Sequence, residues 1–277
     1  MGRCALLKGE LSGHGGMVVA AATISQKATQ RMCGRYAIKS TPEAIRELFG
    51  YVDQPNFPPR YNIAPTQPVP IVRLAEGERR FALVRWGLIP SWVKDPRTFT
   101  LLINARGESA IDKPAFRAAM RHRRCLFPAD GFYEWKVTPT GKHPYFVRLK
   151  SGGPMAFAGL WETWTGPNGE EQETAAIVTT AANRTLAPIH HRMPVIVEPS
   201  AFDLWLDTRR VDARTAAALI APAPENLLEA YAISPAVNRV ANDSAELIEP
   251  HAALQSAAPV SAEKPLRSKD TGQGSLF

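Results

Sequence analysis

Short apolar and β-prone runs, several of them bounded by Gly or Pro, dominate the middle of the chain. Runs of this length and composition predict strands rather than helices. They lie at 81–88, 124–127, 144–149, 155–160, 174–180 and 194–197. Long helical patterns do not alternate with these runs, which disfavours a doubly wound parallel sheet. The pattern predicts an α+β class, as a strand-rich single domain with a curled, barrel-like and mostly antiparallel sheet.

Helical patterns are few and short, so the helices are expected to lie at the periphery. Thr41 followed by Pro42 is typical of a helix start, with an N-cap and then Pro at the first helical position. Ser200 resembles the first residue of a capping box, and Asp212 precedes an Ala-rich stretch that it can cap. These three positions predict helix starts.

The two ends of the chain differ from the middle. Residues 1–31 contain a cluster of Gly and show no amphipathic period, which predicts a leader. Either translation begins at Met32 and the leader is an artefact of the assigned start, or the leader is removed. Residues 251–277 are rich in Ala, Ser, Pro, Lys and Gly and predict a flexible tail. The catalytic domain is therefore predicted over 32–250.

Composition narrows the classes of function. The chain has 277 residues with 33 Lys and Arg against 26 Asp and Glu, a net charge of +7 that favours a polyanionic partner. Three Cys residues without a C-x-x-C pair predict neither a disulfide framework nor a structural zinc site. The longest largely apolar run, 17–24, is too short to span a bilayer. We expect a cytoplasmic protein without a metal or cofactor.

Cys33 directly follows Met32, as a small residue follows an initiator methionine. If translation began at Met32 and that Met were removed, Cys33 would carry a thiol and a free α-amine two carbons apart. The α-amine has an ordinary pKa of roughly 7.7–8.0, so much of it is neutral and nucleophilic near neutral pH. With an aldehyde, such a residue forms a Schiff base and then a thiazolidine ring. The alternative is a buried Cys in a first strand.

Several longer strings resemble those of one family, the SOS-response-associated peptidase (SRAP) family. They occur in the family's order and extend the resemblance over roughly 32–250. The strings are Cys33-Gly34-Arg35-Tyr36, Tyr61-Asn62-Ile63-Ala64-Pro65-Thr66, Arg85-Trp86-Gly87-Leu88-Ile89-Pro90-Ser91-Trp92, Ile103-Asn104-Ala105-Arg106-Gly107-Glu108-Ser109, Asp130-Gly131-Phe132-Tyr133-Glu134-Trp135 and Ile189-His190-His191-Arg192-Met193-Pro194.

The resemblance implies a protein that recognises abasic sites in single-stranded DNA and attaches to them covalently. It implies that Cys33 is the N-terminal residue that forms the bond. It implies three groups of site residues at matching positions. The catalytic group is Cys33, Asn104, Glu134 and His190; the phosphate-binding group is Arg35, Arg106 and Arg192; the stacking and wedge group is Trp86, Trp92 and Trp135.

The residue types at these positions agree with that chemistry. Glu134 stands between two aromatic residues, where desolvation would raise its pKa and suit it to general acid–base catalysis; the alternative is a solvent-facing strand residue. His190 titrates near neutrality and could move the O4′ proton during sugar ring opening, although its neighbour His191 could do the same. The amide of Asn104 can hold a sugar hydroxyl, or it can be a turn residue.

The terminal residues Gln273, Leu276 and Phe277 are similar to short peptides that dock on the bacterial sliding clamp. A disordered end with two apolar residues is the alternative.

We expect a monomer that associates with the nucleoid when it is bound to DNA.

Three functions remain open. The first is a DNA-repair enzyme of the SOS response that crosslinks to abasic sites and shields them, with lyase activity as a side reaction of its Schiff base. The second is a thiol peptidase that uses Cys33 as nucleophile and His190 as base on its own leader or on other proteins. The third is a non-catalytic binder of single-stranded DNA, which predicts binding that is lost at high salt.

Overall fold

The computed structural model describes residues 34–251 of the chain. The predictions for Cys33, for the leader over 1–31, for the tail beyond His251 and for the clamp-like terminal peptide lie outside the described residues. Within the described part, strands dominate and the helices are short. The predicted fold class, a strand-rich α+β fold with a barrel-like and mostly antiparallel sheet, is confirmed.

Thirteen strands are present among the described residues. They are β1 (Tyr36–Ile38), β2 (Arg60–Ile63), β3 (Pro68–Ala75), β4 (Glu78–Trp86), β5 (Asn104–Arg106), β6 (Arg124–Ala129), β7 (Gly131–Thr138), β8 (Gly141–Leu149), β9 (Met155–Thr165), β10 (Glu171–Ala181), β11 (Arg192–Pro194), β12 (Ile196–Val197) and β13 (Leu228–Ala232).

Five α-helices and three 3-10 helices complete the described elements. The α-helices are α1 (Pro42–Phe49), α2 (Gly107–Ala110), α3 (Arg117–His122), α4 (Phe202–Leu206) and α5 (Ala213–Ala217). The 3-10 helices are Pro199–Ala201, Pro235–Asn238 and Ala245–Ile248.

Five strands close into a barrel in the order β10, β4, β3, β6 and β9, with β9 pairing back onto β10. All neighbours are antiparallel except β10 and β4, which run parallel with Thr174 opposite Arg85. The short strands β5 and β11 attach to the C-terminal part of β10, and β12 attaches to β9. Closure satisfies the backbone groups of the barrel strands without an open edge.

A second sheet has the order β13, β8, β7, β1 and β2, and all its pairs are antiparallel. Tyr36 of β1 is completely buried and packs edge-on against Trp86 and Phe157, with ring centroids 5.3 and 6.2 Å away. Because Trp86 and Phe157 belong to the barrel, this aromatic cluster joins the two sheets. It also anchors β1, the first described strand.

The six predicted runs all coincide with strands, but the run over 194–197 is interrupted at Val195. The N–H of Val195 donates to the carbonyl of Val178 in β10, and its own carbonyl accepts from the N–H of Ala158 in β9. Val195 therefore marks the point where the chain passes from pairing with β10 to pairing with β9. Alternation of apolar residues carries no signal for such a switch of partner.

The predicted helix starts are confirmed in two cases. The hydroxyl of Thr41 accepts from the N–H of Ala44 at 3.3 Å, and a carboxylate oxygen of Asp212 accepts from the first N–H groups of α5. The start predicted at Ser200 is wrong. Pro199 initiates a 3-10 turn that includes Ser200, and α4 begins after Ala201 without a side-chain cap.

Candidate active site and nucleic-acid interface

The C-terminal end of β10 brings three predicted site residues to one rim of the barrel. On one side of it β5 runs parallel, with Asn104 opposite Ile177 and Arg106 opposite Thr179. On the other side β11 runs antiparallel and contributes Arg192. Residues that are far apart in sequence are thus placed within two strands of each other by the barrel.

Glu134 and His190 meet at the same rim. Glu134 lies in β7 of the second sheet, and His190 lies in the loop that precedes β11. The Oε1 atom of Glu134 lies 3.8 Å from Nδ1 of His190, and the two side chains are 3% and 1% exposed. This contact therefore spans the two sheets in a place that bulk water cannot screen.

The loop that carries His190 is held by its own backbone and by a buried amide. Asn183 is 4% exposed; its side chain accepts from the N–H of Leu186 at 3.1 Å and donates to the carbonyl of Ala223 at 3.1 Å. The N–H of His190 then donates to the carbonyl of Leu186 at 2.9 Å. These bonds position the imidazole before any substrate arrives.

Burial lowers the pKa of His190 below its ordinary value of 6.5, and the nearby positive charges of His191 and Arg192 act in the same direction. The imidazole is therefore neutral at neutral pH. Its Nδ1 lies 3.1 Å from both the N–H and the carbonyl of Arg192, and a neutral imidazole can satisfy only one of them at a time. Its Nε2 is buried and has no hydrogen-bond partner among the described residues, so the hydrogen-bonding capacity of this nitrogen is unused there.

The described chain begins beside Glu134. β1 pairs antiparallel with β7, and the N–H of Tyr133 donates to the carbonyl of Arg35 at 3.0 Å. Extending this register by one residue places Gly34 level with Glu134. The half-buried Asn104 stands on β5 at the barrel side of the same rim.

Arg192 is held by two kinds of acceptor. Its Nη1 and Nη2 atoms donate to the two carboxylate oxygens of Glu108 at 2.5 and 2.8 Å. Nη2 also donates to the carbonyl of Thr179 at 2.8 Å and to its hydroxyl at 3.2 Å. The hydrogen bond from Arg192 holds the pKa of Glu108 below its usual range, and the charge of Arg106 adds to this effect.

The other two predicted phosphate-binding arginines differ from each other. Arg106 is exposed at the end of β5. Arg35 is half-buried, and its Nη1 donates to Oδ1 of Asn62 at 2.7 Å and to the carbonyl of Val237 at 2.8 Å. Burial lowers the pKa of Arg35. Its guanidinium thus ties the first strand to the segment around Val237, and only its remaining N–H groups can face a phosphate.

Trp86 does not occupy the position that was predicted for it. It is completely buried, and its indole N–H donates to the carbonyl of Ile103 at 2.9 Å, so it cannot stack on a nucleobase. The reason is the alternation of β4, in which Val84 and Trp86 share the buried face while Arg85 lies on the other. Trp86 instead supports the backbone immediately before Asn104.

Trp92 and Trp135, unlike Trp86, keep exposed surface. Trp92 is 59% exposed and meets Phe99 edge-on, with ring centroids 5.6 Å apart. Trp135 is half-buried next to Glu134, and its indole N–H donates to the side chain of Asn238 at 2.8 Å. The structure therefore separates the three predicted tryptophans into one core residue and two surface residues.

Three residues whose side chains bond the predicted arginines have no role in the sequence-based prediction: Glu108, Thr179 and Asn62. Glu108 and Arg192 are 84 positions apart, and no local pattern joins them. The one available signal was that Glu108 and Asn62 both stand inside the strings that carry the family resemblance.

Cys125 is the one Cys within 34–251, and it is completely buried. Burial raises the pKa of its thiol well above the ordinary value, so it is unsuited to act as a nucleophile.

Within the same described range, no group of His, Cys, Asp or Glu could hold a metal ion. No helix of the described part is long and apolar enough to cross a membrane.

Comparison with known proteins finds clear relatives. The chain is 39% identical over 224 residues to abasic site processing protein YoqW of Bacillus subtilis (strain 168), covering 79% of this chain and 100% of the relative. It is 33% identical over 227 residues to abasic site processing protein YedK of Escherichia coli (strain K12), covering 79% and 100%. Identity to abasic site processing protein HMCES of Gallus gallus is 31% over 263 residues, covering 79% and 78%.

A solved structure agrees with these similarities. A crystal structure of a protein from Bacteroides thetaiotaomicron superposes with a TM-score of 0.71 at 25% identity, covering 79% of this chain and 100% of that one. The family model described as SOS response associated peptidase (SRAP) matches residues 32–240. The chain therefore belongs to the SRAP family.

Proposed function

We propose that this chain processes abasic sites in single-stranded DNA by forming a thiazolidine crosslink between Cys33, as its mature N-terminal residue, and the ring-opened abasic sugar. The buried Glu134–His190 contact beside the start of β1 is the observation that carries the proposal. The names of the relatives, which are abasic site processing proteins, support the class of substrate.

Connectivity supports a role for Cys33 at this site. Gly34 lies level with Glu134 in the register of β1 and β7, and consecutive Cα atoms are about 3.8 Å apart. In a chain that begins at Cys33, the α-amine would therefore be one residue away from a buried carboxylate and a neutral imidazole. An internal Cys33 has only an amide nitrogen, which cannot form a Schiff base.

The proposed reaction forms two bonds to one sugar carbon and releases one water. The α-amine adds to the C1′ aldehyde, and the resulting carbinolamine loses its hydroxyl as water to give a Schiff base. The thiol then adds to the same carbon while its proton passes to the nitrogen, which closes the five-membered ring. Elimination of the 3′ phosphate from the Schiff base, before the ring closes, would be a lyase side reaction.

The rim residues supply the proton transfers and the positioning that these steps need. Opening of the sugar ring transfers the proton of the C1′ hydroxyl to O4′, and Nε2 of His190 carries that proton, because the imidazole is neutral and this nitrogen has no partner among the described residues. The carboxylate of Glu134 takes the proton that the nitrogen of the amine adduct loses and donates it to the departing hydroxyl. The amide of Asn104 orients the sugar hydroxyl without competing as a nucleophile.

Basic and aromatic side chains around the rim suit a single strand. Arg106 and Arg192 bind phosphates on either side of the abasic sugar, with the remaining donors of Arg35 as a third contact. Trp92 and Trp135 stack on neighbouring bases, which selects a single strand without selecting its sequence. We extend the proposal to a monomer of the cytoplasm that shields abasic sites in DNA repair and the SOS response.

The test uses a chain that starts at Met32 and an oligonucleotide with one abasic site. We expect a band that is shifted on a denaturing gel after boiling, and mass spectrometry of the digested adduct should place the bond at Cys33. Cys33→Ser keeps the amine, so borohydride should still trap its Schiff base, but no adduct should survive boiling without reduction. Cys125→Ser is the matched control and should crosslink like the wild type.

Two outcomes would overturn the proposal. One is a heat-stable adduct formed by Cys33→Ser, and the other is a bond at any residue except Cys33. The 277-residue form should fail to crosslink unless it loses the residues before Cys33. Shortening of that form in a Cys33-dependent manner would establish the peptidase activity that the family description names.

A further inference from the structure

The guanidinium of Arg192 already holds an anion in the free protein. Glu108 accepts from both of its terminal nitrogens, at 2.5 and 2.8 Å, in the bidentate geometry that a phosphate also uses. The side chain of Arg192 is 12% exposed and that of Glu108 is 51% exposed. Arg192 is therefore held in the rim, whereas the exposed side chain of Glu108 can move away from it.

The fixed side of the arrangement does not depend on Glu108. Nη2 of Arg192 also donates to the backbone carbonyl and the hydroxyl of Thr179, and Thr179 is completely buried in β10. When the carboxylate leaves, these bonds would keep the guanidinium aimed at the same place. The exposed Arg106 stands two residues before Glu108, so the carboxylate also reduces the positive potential there.

We infer that Glu108 occupies the phosphate position of Arg192 in the free protein and that a DNA phosphate displaces it on binding. This inference rests on the proposed function, because it takes Arg192 as a phosphate contact. Glu108 acts as a competing internal anion. Displacing Glu108 costs free energy. A single small anion has no other contact to offset this cost, whereas a strand offsets it because its other phosphates contact further cations. The residue thereby favours extended single strands over isolated phosphates.

The experiment measures equilibrium binding apart from crosslinking. The probe is a single-stranded oligonucleotide with a tetrahydrofuran abasic analogue, which has no aldehyde and cannot react. Glu108→Gln removes the charge, and we expect about twofold to fivefold tighter binding at low salt, the range of an exposed ion pair. The slope of log affinity against log salt should steepen by up to about 0.7, the value for one phosphate contact on a single strand.

Asp203→Asn is the matched control, because it also removes one carboxylate from an Arg pair. Asp203 accepts from Arg79 in β4, and Arg79 lies six residues before the point where β4 meets Thr174 of β10. Thr179 lies five residues beyond that point, so the two pairs are separated by roughly 35 Å along the strands. Asp203→Asn should leave the affinity unchanged.

Repeating Glu108→Gln in an Arg192→Ala background tests the mechanism. If Glu108 acts through Arg192, most of the gain disappears in that background, and only its smaller effect on the potential at Arg106 remains. An equal gain there would show general repulsion of DNA and would overturn the inference, as would weaker binding by Glu108→Gln alone. A wild type that binds and crosslinks normally while Glu108→Gln changes nothing would remove only this inference, whereas absence of any crosslink would remove the proposed function.

Discussion

Two buried charged regions of this protein have opposite hydrogen-bonding status. Arg124 in β6 is 1% exposed, and all three of its guanidinium nitrogens donate to backbone carbonyls. The acceptors are Trp205, Met120, Asp207 and Val211. Burial lowers the pKa of Arg124 to about 10, so it remains charged at neutral pH. This region is a closed network that joins β6 to the segments around α4.

The rim region, which contains Glu134 and His190, is equally buried, but not all of its polar atoms have a hydrogen-bond partner among the described residues. Glu134 and His190 face each other at 3.8 Å, longer than a hydrogen bond, and Nε2 of His190 has no partner within 34–251. The comparison teaches that burial alone does not identify a reactive group. A buried charge whose donors are all satisfied serves the fold, and a buried group with an available nitrogen can serve a substrate.

The largest effect is expected from Glu134→Gln, which removes the carboxylate and keeps the volume. The crosslinking rate should fall about 10²–10⁴-fold, the usual contribution of a positioned acid or base. Single-turnover rates on denaturing gels measure it. Glu162→Gln is the matched control, since Glu162 is also buried but is paired with Arg123 at 2.7 Å. A similar fall in rate for both variants would show that a buried carboxylate with a satisfied partner matters as much as Glu134, and would contradict the special role of the rim.

Arg124→Met should affect stability and leave chemistry alone. The substitution removes every donor from the closed network and leaves its carbonyl acceptors buried. We expect the free energy of unfolding to fall by about 2–6 kcal/mol, because at least two buried carbonyls lose their donor at about 1–3 kcal/mol each. Urea denaturation measures the change, and crosslinking per folded molecule should stay at the wild-type level. A stable variant with slow crosslinking would contradict this assignment.

Asp130→Asn extends the comparison to a carboxylate only four residues from Glu134. Asp130 is 2% exposed; it accepts from the N–H groups of Lys39 and Ser40 at 2.7 and 2.9 Å and from the Ser40 hydroxyl at 2.5 Å. Replacing Oδ1 by an amide nitrogen forces the Ser40 hydroxyl to accept instead of donate and removes the charge that strengthens the other two bonds, which should cost about 1–3 kcal/mol of stability. The rate per folded molecule should not change; a large loss of rate would place Asp130 in the reactive region.

The smallest effect is expected in the pH profile. The neutral amine and neutral His190 are both needed, so log rate should rise with a slope of about two below both pKa values. Because burial lowers the pKa of His190, its protonation should occur at a lower pH than that of an ordinary histidine. In His190→Gln the slope should drop to about one, a difference of about tenfold per pH unit. Equal slopes would show that the neutral imidazole is not required.

The strands and the fold class followed from local pattern, because short β-prone runs bounded by Gly and Pro are a local signal. Barrel closure through β9 and β10, and the switch of partner at Val195, depend on long-range pairing and leave no such signal. The helix start predicted at Ser200 failed because Pro199 begins a tighter turn there.

Among the predicted site residues, Glu134 and His190 come together in the structure, and Asn104 lies on β5, whereas their catalytic roles stay predictions. Trp86 failed because basic neighbours in the sequence say nothing about which strand face a residue occupies. Its alternation with Val84 was the local clue. Glu108 required the structure, since its partner Arg192 comes from a distant strand.

The first described strand has a mechanical consequence. β1 is only three residues long, but it lies between β7 and β2 and is hydrogen-bonded to both. In antiparallel pairs these bonds are perpendicular to the strand, so a force applied along its axis loads both ladders together in shear. If DNA is attached at Cys33 as proposed, a pull in that direction would load the two ladders at once, so β1 would resist it through both of its neighbours.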